Sequence, residues 1–482
     1  MFGWSELIPA LPELLVLAMA CVVLVVGLYS TNRNGGGFIV FLSVLTMLFA
    51  IIITAKDHVA TVEFSRQLLF NGTFIRDGFG DMLKIVVYIL MIAVFFYAKQ
   101  YLRTNQNVRG EYFALLLFAT LGTMVMISGH NFISLYLGLE LVALSSYALV
   151  AYNRTDIKGN EAAMKYFILG AMASGLFLYG VSLLYGATGT LQIDEISSAI
   201  ARQDNDLMLV LGLIFILVGI AFKLGAVPFH MWLPDVYEGA PVATTLFLSS
   251  APKIAAFALA VRILSQGMEN IFDYWQPMVA TLALLSIVIG NIFALQQENL
   301  KRMFAYSTIS HIGFMLLGLV GGADGVAAAM FYIIVYLIMA VGGFGVIVLL
   351  SSKGIEAEKI SDFKGLNQRN SWYAFMMLLI LFSMAGVPPL VGFFAKLYVL
   401  QAVIAAGYLW LAVLAVIFAV IGAFYYLRVV KVMYFDESET DQAIDVSFDV
   451  KAVLSVNALA QLGLLVILPV LFQFCIYVTK TL

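Results

Sequence analysis

Apolar runs of about 20 residues, the helix length needed to cross a hydrocarbon layer of about 30 Å, recur from the first residues of the chain to the last. Read between charged and turn residues, they predict about fourteen spans, near 7–30, 37–55, 78–98, 111–128, 131–152, 161–187, 207–233, 242–265, 276–295, 303–320, 325–350, 371–405, 408–431 and 451–478. The stretches between them are too short to hold a soluble domain, so the expected fold is an all-α polytopic membrane protein. The first run carries Pro9, Pro12 and Glu13 and lacks the basic segment and small-residue cleavage site of a removable leader, so it reads as a span.

Composition sharpens the picture. Of 482 residues 62% are hydrophobic and 11% charged, with a mean hydropathy of +0.99, against about 25% charged in soluble domains. Where the charges lie therefore matters more than their sum. Of the 26 Lys and Arg, fifteen fall in the odd-numbered connections, Arg33 and Lys353 among them, and five on the other side, namely Lys56, Arg66, Arg76, Arg202 and Lys480. Basic residues are retained in cytoplasmic connections, so the odd ones are expected inside and both termini on the outer, periplasmic side. Cys21 and Cys475 lie near opposite ends with no paired spacing, which offers neither a disulfide framework nor a cluster site.

Six basic residues remain inside spans: Lys84, Lys165, Lys223, Lys253, Arg262 and Lys396. A charge at the bilayer centre costs at least about 2.5–3.5 kcal/mol, so each needs a reason. Lys84 follows Asp81 by one helical turn and is expected to pair with it, and Arg262 near a span end is expected to snorkel. Glu140, in LYLGLELVAL, sits too deep for that, as do Lys223, Lys253 and Lys396. Buried lysine suits proton relay because desolvation favours the neutral amine and a nearby carboxylate favours the ammonium, so a moving charge can flip it. The plainer alternative is a static buried pair such as Glu140 with Lys223. Lys165, one turn after Glu161, reads equally as a surface pair or as a modulator of Glu140 and Lys223. His230 and His311, with an ordinary imidazole range near pH 6.5, read as relay groups or as plain hydrogen-bonded histidines. His58 and His130 read as loop residues, and tyrosines near span ends as an interfacial belt.

Two segments carry helix breakers beside a lysine. GAVPFHMWLPD places Pro228 after Lys223, and MAGVPPLVGFFAK places Pro388 and Pro389 before Lys396. A proline removes a helical hydrogen bond and clashes with the preceding turn. Irregular backbone at membrane depth is tolerated only where it is buried in protein or lines a hydrated cavity, so both breaks point to polar pathways. They are five spans apart, and an odd separation reverses orientation, the pattern of two inverted five-helix repeats.

At FKLGAVPFHMWLPDVYEGAPVATTLFLSSAPKIAAF, ENLKRMFAYSTISHIGF and AGVPPLVGFFAKLYVL the chain resembles the antiporter-like membrane subunits of respiratory complex I, in order and over essentially its whole length. Some members are expected to have a glutamate where Lys396 stands and others a long lateral helix beyond the last span; this sequence has neither. The resemblance implies fourteen transmembrane helices in four segments: 1–110, two inverted five-helix repeats at 111–265 and 276–431, each with a broken helix, and 432–482. It also implies a proton-translocating part of NADH:quinone oxidoreductase in the bacterial inner membrane. Glu140 would pair with Lys223 in one half-channel with Lys165 nearby, Lys253 would be the central link, and Lys396 would serve the other half-channel.

No redox centre is implied for this chain. FMN, iron–sulfur clusters, NADH and quinone would be used in or between other subunits, in keeping with the missing GxGxxG and cysteine clusters. The implied partners are neighbouring antiporter-like and small membrane subunits, lipids and protons, with no nucleic acid. The same scaffold would serve a multi-subunit cation/proton antiporter or a membrane-bound hydrogenase.

Overall fold

The computed structural model describes residues 7–29, 35–60, 66–105, 109–202, 207–351, 357–438 and 446–482. Arg33 and Lys353, counted above for orientation, lie outside the described residues. The helices are α1 (Leu11–Tyr29), α2 (Gly35–Ala60), α3 (Gly78–Thr104), α4 (Gly110–Ser128), α5 (Phe132–Val150), α6 (Ile157–Thr188), α7 (Ile193–Ile200), α8 (Leu207–Leu224), α9 (Trp232–Gly239), α10 (Val242–Leu248) and α11 (Ala251–Val261). They continue as α12 (Phe272–Leu295), α13 (Leu300–Val320), α14 (Gly322–Leu350), α15 (Leu366–Arg369), α16 (Ser371–Ala385), α17 (Val391–Ala405), α18 (Leu409–Phe435) and α19 (Phe448–Thr479). Among the described residues, 13 helical stretches are long and apolar enough to cross a membrane, one of them, Val242–Gly267, made of α10, α11 and the turn that follows. The fourteenth expected span is present as the two shorter halves α16 and α17.

Three expectations are corrected. The seventh span stops at Leu224 instead of running to 233, and the chain turns into the separate short helix α9. The eighth span is also interrupted, at Ser249 and Ser250, and ends in a π-helical turn from Arg262 to Gly267. His58 lies within α2, not in a loop. An antiparallel hairpin, β1 (Gln67–Leu69) with β2 (Phe74–Arg76), and amphipathic α7, which buries Ile193, Ile196 and Ile200, went unpredicted.

Polar side chains start the spans. Asp77 caps α3 by accepting from Gly80 N at 2.8 Å, Asn131 forms a capping box with Ser134 at α5, and Asn299 accepts from Arg302 N at 3.1 Å at α13. Small residues then let helices touch. A Cβ on Gly138 of α5 would lie 2.7 Å from Met126 N of α4, so only glycine permits this crossing. Helices α10, α11, α13 and α14 are almost wholly enclosed, whereas α1, α6, α18 and α19 turn apolar faces outward.

Two span charges behave differently from expectation. Lys84 Nζ lies 2.6 Å from Glu13 of α1 and 4.0 Å from Asp81, while Asp81 is 3.0 Å from Arg76. Arg262 does not snorkel: it is fully buried and forks onto Asp77 at 2.5 and 2.8 Å, joining the π-helical turn to the start of α3. Breaking a buried pair strands a charge and costs about 3–5 kcal/mol. Asp77→Ala should therefore cost about that much in the thermal unfolding of the solubilised protein, and adding Arg262→Leu should restore most of it.

Candidate functional site

The first break follows from Gly225. With φ at +79°, it lets the N–H groups of Gly225 and Ala226 both return to Ala221 O, at 2.9 and 2.8 Å, closing α8 one residue after Lys223. The freed carbonyls at the end of α8 meet a cation. Lys253, fully buried in the first turn of α11, donates from Nζ to Leu224 O at 2.8 Å and approaches Lys223 O at 3.5 Å. Its ammonium also lies 5.2 Å from the Trp232 ring, which donates to Phe222 O at 2.9 Å and stacks on Tyr166.

Lys223 and Lys253 line one small cavity with Met126, Leu139, Val142, Tyr166 and Trp232. Glu140 on α5 is half-buried and accepts from Ser174 Oγ of α6 at 2.5 Å. Among the described residues no ion pair within 4.0 Å joins it to Lys223, although the two charges lie within Coulombic reach. A static salt bridge between them is thus not formed.

The second break repeats the local geometry. Gly386 has φ +86°, and the N–H groups of Gly386 and Val387 both return to Phe382 O at 3.0 Å. Here the cation on the carbonyl end is Lys396 of α17, whose Nζ donates to Met384 O at 3.0 Å and Ala385 O at 2.9 Å. Gly225 therefore corresponds to Gly386 and Pro228 to Pro389, one residue away from the register that the GAVP and AGVP strings suggest. In this register Lys223 falls opposite Met384, so Lys253 and Lys396 are the two lysines with the same local task. Ser383 ties the second break together: its hydroxyl accepts from Gly392 N at 3.2 Å and donates to Gln461 of α19 at 2.9 Å.

The remaining candidates are placed apart. Lys165 is exposed and paired with Glu161 and Asp235, each at 2.9 Å; Asp235 also binds Arg302 of α13 at 2.9 Å. His230 is buried inside the first break, and its Nδ1 finds no hydrogen-bond partner among the described residues. His311, buried on α13, shares a second cavity with Lys396, Asn291, Ser310, Tyr425 and Tyr426. Sequence reasoning missed this group because it assigned tyrosines to the interfaces. The available signal was Tyr332 and Tyr336, one helical turn apart and so on one face of α14.

Comparison with known proteins agrees with this architecture. The family described as NADH:quinone oxidoreductase/Mrp antiporter, transmembrane, matches residues 129–422. NADH-quinone oxidoreductase subunit N of Thioalkalivibrio sulfidiphilus is 51% identical over 474 residues, covering 98% of this chain and 97% of that protein. A chain of respiratory complex I from Thermus thermophilus superposes with a TM-score of 0.81 at 27% identity, covering 96% of this chain and 98% of its own. A chain of the archaeal membrane-bound sulfane sulfur reductase does so with 0.88 at 26%, covering 98% and 97%.

The closing turns generate a direct test. A side chain at Gly225 would adopt an unfavourable φ and its Cβ would meet Leu233 Cδ1 at 2.4 Å. Gly225→Val should lower stability by at least about 1–2 kcal/mol, read as a lowered unfolding temperature in detergent.

Proposed function

The chain belongs to the membrane family shared by NADH:quinone oxidoreductases and Mrp antiporters, and on that premise we propose that it works as a subunit N of bacterial NADH-quinone oxidoreductase, a proton-translocating part of the membrane arm. One observation supports this reading most: two lysine ammonium groups rest on the carbonyl ends of helices broken within a membrane-spanning bundle. Burial disfavours the ammonium, whereas the negative end of a helix favours it. Opposed terms of this kind leave a balance that a neighbouring charge can tip, which is what a relay requires. Glu140, Lys223, Lys253 and Lys396 carry the path in this reading, with His230 and His311 as further stations and the breaks at Pro228, Pro388 and Pro389 opening it. Lys165 acts on it from outside, through Asp235.

Segments 111–265 and 276–431 act as two inverted five-helix units, flanked by 1–110 and 432–482. Their support is the shared glycine closure at breaks five spans apart. The charge asymmetry supports a bacterial inner-membrane orientation with both termini outside. FMN, iron–sulfur clusters, NADH and quinone are handled in or between partner subunits. Among the described residues of this chain, no group of three or more His, Cys, Asp or Glu could hold a metal. Apolar faces such as that of α6, with Met164, Phe167, Ile168 and Met172 exposed, meet lipid or neighbouring membrane subunits.

Lys223→Ala, in membranes where the assembled complex still contains this chain, should lower NADH-driven quinone reduction and membrane energisation together by at least about tenfold. Unchanged values for both would remove Lys223 from the path. Glu140→Gln should show a parallel loss, and flavin and iron–sulfur proteins should co-purify with the chain. Purification with small membrane subunits alone would favour the cation/proton antiporter instead.

A further inference from the structure

His311 uses both ring nitrogens. Nδ1 lies 2.7 Å from the hydroxyl of Tyr332 on α14, and Nε2 lies 3.1 Å from the hydroxyl of Tyr426 on α18. The Tyr426 hydroxyl is in turn hydrogen-bonded to Ser307 Oγ, one turn before His311 on α13. All four groups are buried, so no bulk water competes for these contacts.

Ser307 stands about 10 Å along α13 from its Leu300 end, at 1.5 Å per residue. Tyr332 stands about 15 Å along α14 from its Gly322 end. Helices α13 and α14 are joined at Val320 and Gly322, so those two reference ends lie on opposite faces of the bundle. The chain Ser307, Tyr426, His311, Tyr332 thus lies near mid-depth, climbing about 6 Å from Ser307 to His311 and then running sideways to Tyr332. Lys396 stands beside it rather than in it. Its ammonium is bonded to Met384 O and Ala385 O and borders the same cavity as His311 and Tyr426.

We propose that Ser307, Tyr426, His311 and Tyr332 form a proton wire at mid-depth within the second unit, and that Lys396, the station of the path beside it, is also the charge that gates it; this rests on the reading of the chain as a proton translocator. A neutral imidazole holds one N–H and one free nitrogen, and each flanking hydroxyl can donate or accept. A proton arriving at Ser307 Oγ displaces the serine proton to the Tyr426 oxygen as the Tyr426 proton passes to His311 Nε2. The imidazolium so formed releases its Nδ1 proton to the Tyr332 oxygen, and Tyr332 gives up its own proton to a water molecule beyond it. One proton enters, one leaves, and the ring ends with its proton on Nε2; reorientation of the imidazole together with the hydroxyl rotors restores the starting state. No bond other than O–H and N–H is exchanged.

The gate is electrostatic. A charged Lys396 repels the imidazolium intermediate, and a neutral Lys396 admits it. Tyr336 stacks on the imidazole at 4.6 Å but donates its hydroxyl to Thr308 at 2.7 Å, so it supports the ring without joining the wire. Tyr425 lines the cavity and donates to Asn291 at 3.2 Å. The ionisable groups around the ring are thus Lys396 on α17, Tyr332 and Tyr336 on α14, and Tyr425 and Tyr426 on α18.

The test compares Tyr426→Phe, Tyr332→Phe and Ser307→Ala with Lys223→Ala and Lys396→Ala, each in the assembled complex. NADH-driven proton release and its slowing in deuterium oxide are measured for all five. Each wire variant should lower proton release at least about tenfold and show a larger deuterium effect than the parent, which a merely structural loss would not produce. Parental flux in the three wire variants, with flux lost in the lysine variants, would overturn the wire and leave Lys396 as the carrier. Parental flux in all five would overturn the translocator reading as well.

Discussion

In hydrocarbon, no water is present to satisfy a freed peptide group, and every helix break must be closed by the protein itself. That constraint governs the centre of this molecule. At each of the two proline breaks, a glycine with positive φ turns the amide groups back onto the last helical turn. The carbonyls left over are satisfied by an ammonium carried in from a different helix, Lys253 at Leu224 and Lys396 at Ala385. The same contact that closes the break also places a titratable cation at membrane depth, so structural closure and a titratable group are one arrangement.

Around this centre, other buried charges have a fixed structural task. Asp77 with Arg262, and Glu13 with Lys84, Asp81 and Arg76, bind α1, α3, the hairpin and the π-helical turn into one end of the bundle. These groups have direct carboxylate partners at short range. Lys223, Lys253 and Lys396 do not, among the described residues; they face carbonyls, aromatic rings and small cavities. A strong ion pair pins the charge state of both partners, whereas a cation held by carbonyl dipoles remains free to lose its proton when the field changes. The distinction separates charges that hold the fold from charges suited to moving protons.

The regions of the two breaks also touch through charge. Asp235, just past the first break, binds Lys165 of α6 and Arg302 of α13, the helix that carries His311. A movement of α9 therefore loads α13 directly, a physical link between the first break and the helix that carries His311.

The sequence alone determined the order of the spans to within their ends, the two proline breaks and most of the deep charges, because hydrophobic run length, proline chemistry and the cost of a buried charge act locally. It could not determine partners. Lys84 has Asp81 one turn away yet lies closer to Glu13, and Arg262 at a span end turns inward to Asp77, because helix packing sets which distant residue comes within reach. The two breaks align by their glycines, Gly225 with Gly386, and not by their proline-containing strings, since glycine conformation and not letter order closes each helix. The tyrosines about His311 were invisible as a group for the same reason: they come from two helices other than its own, and only tertiary packing decided that the hydroxyls of Tyr332 and Tyr426 meet one imidazole.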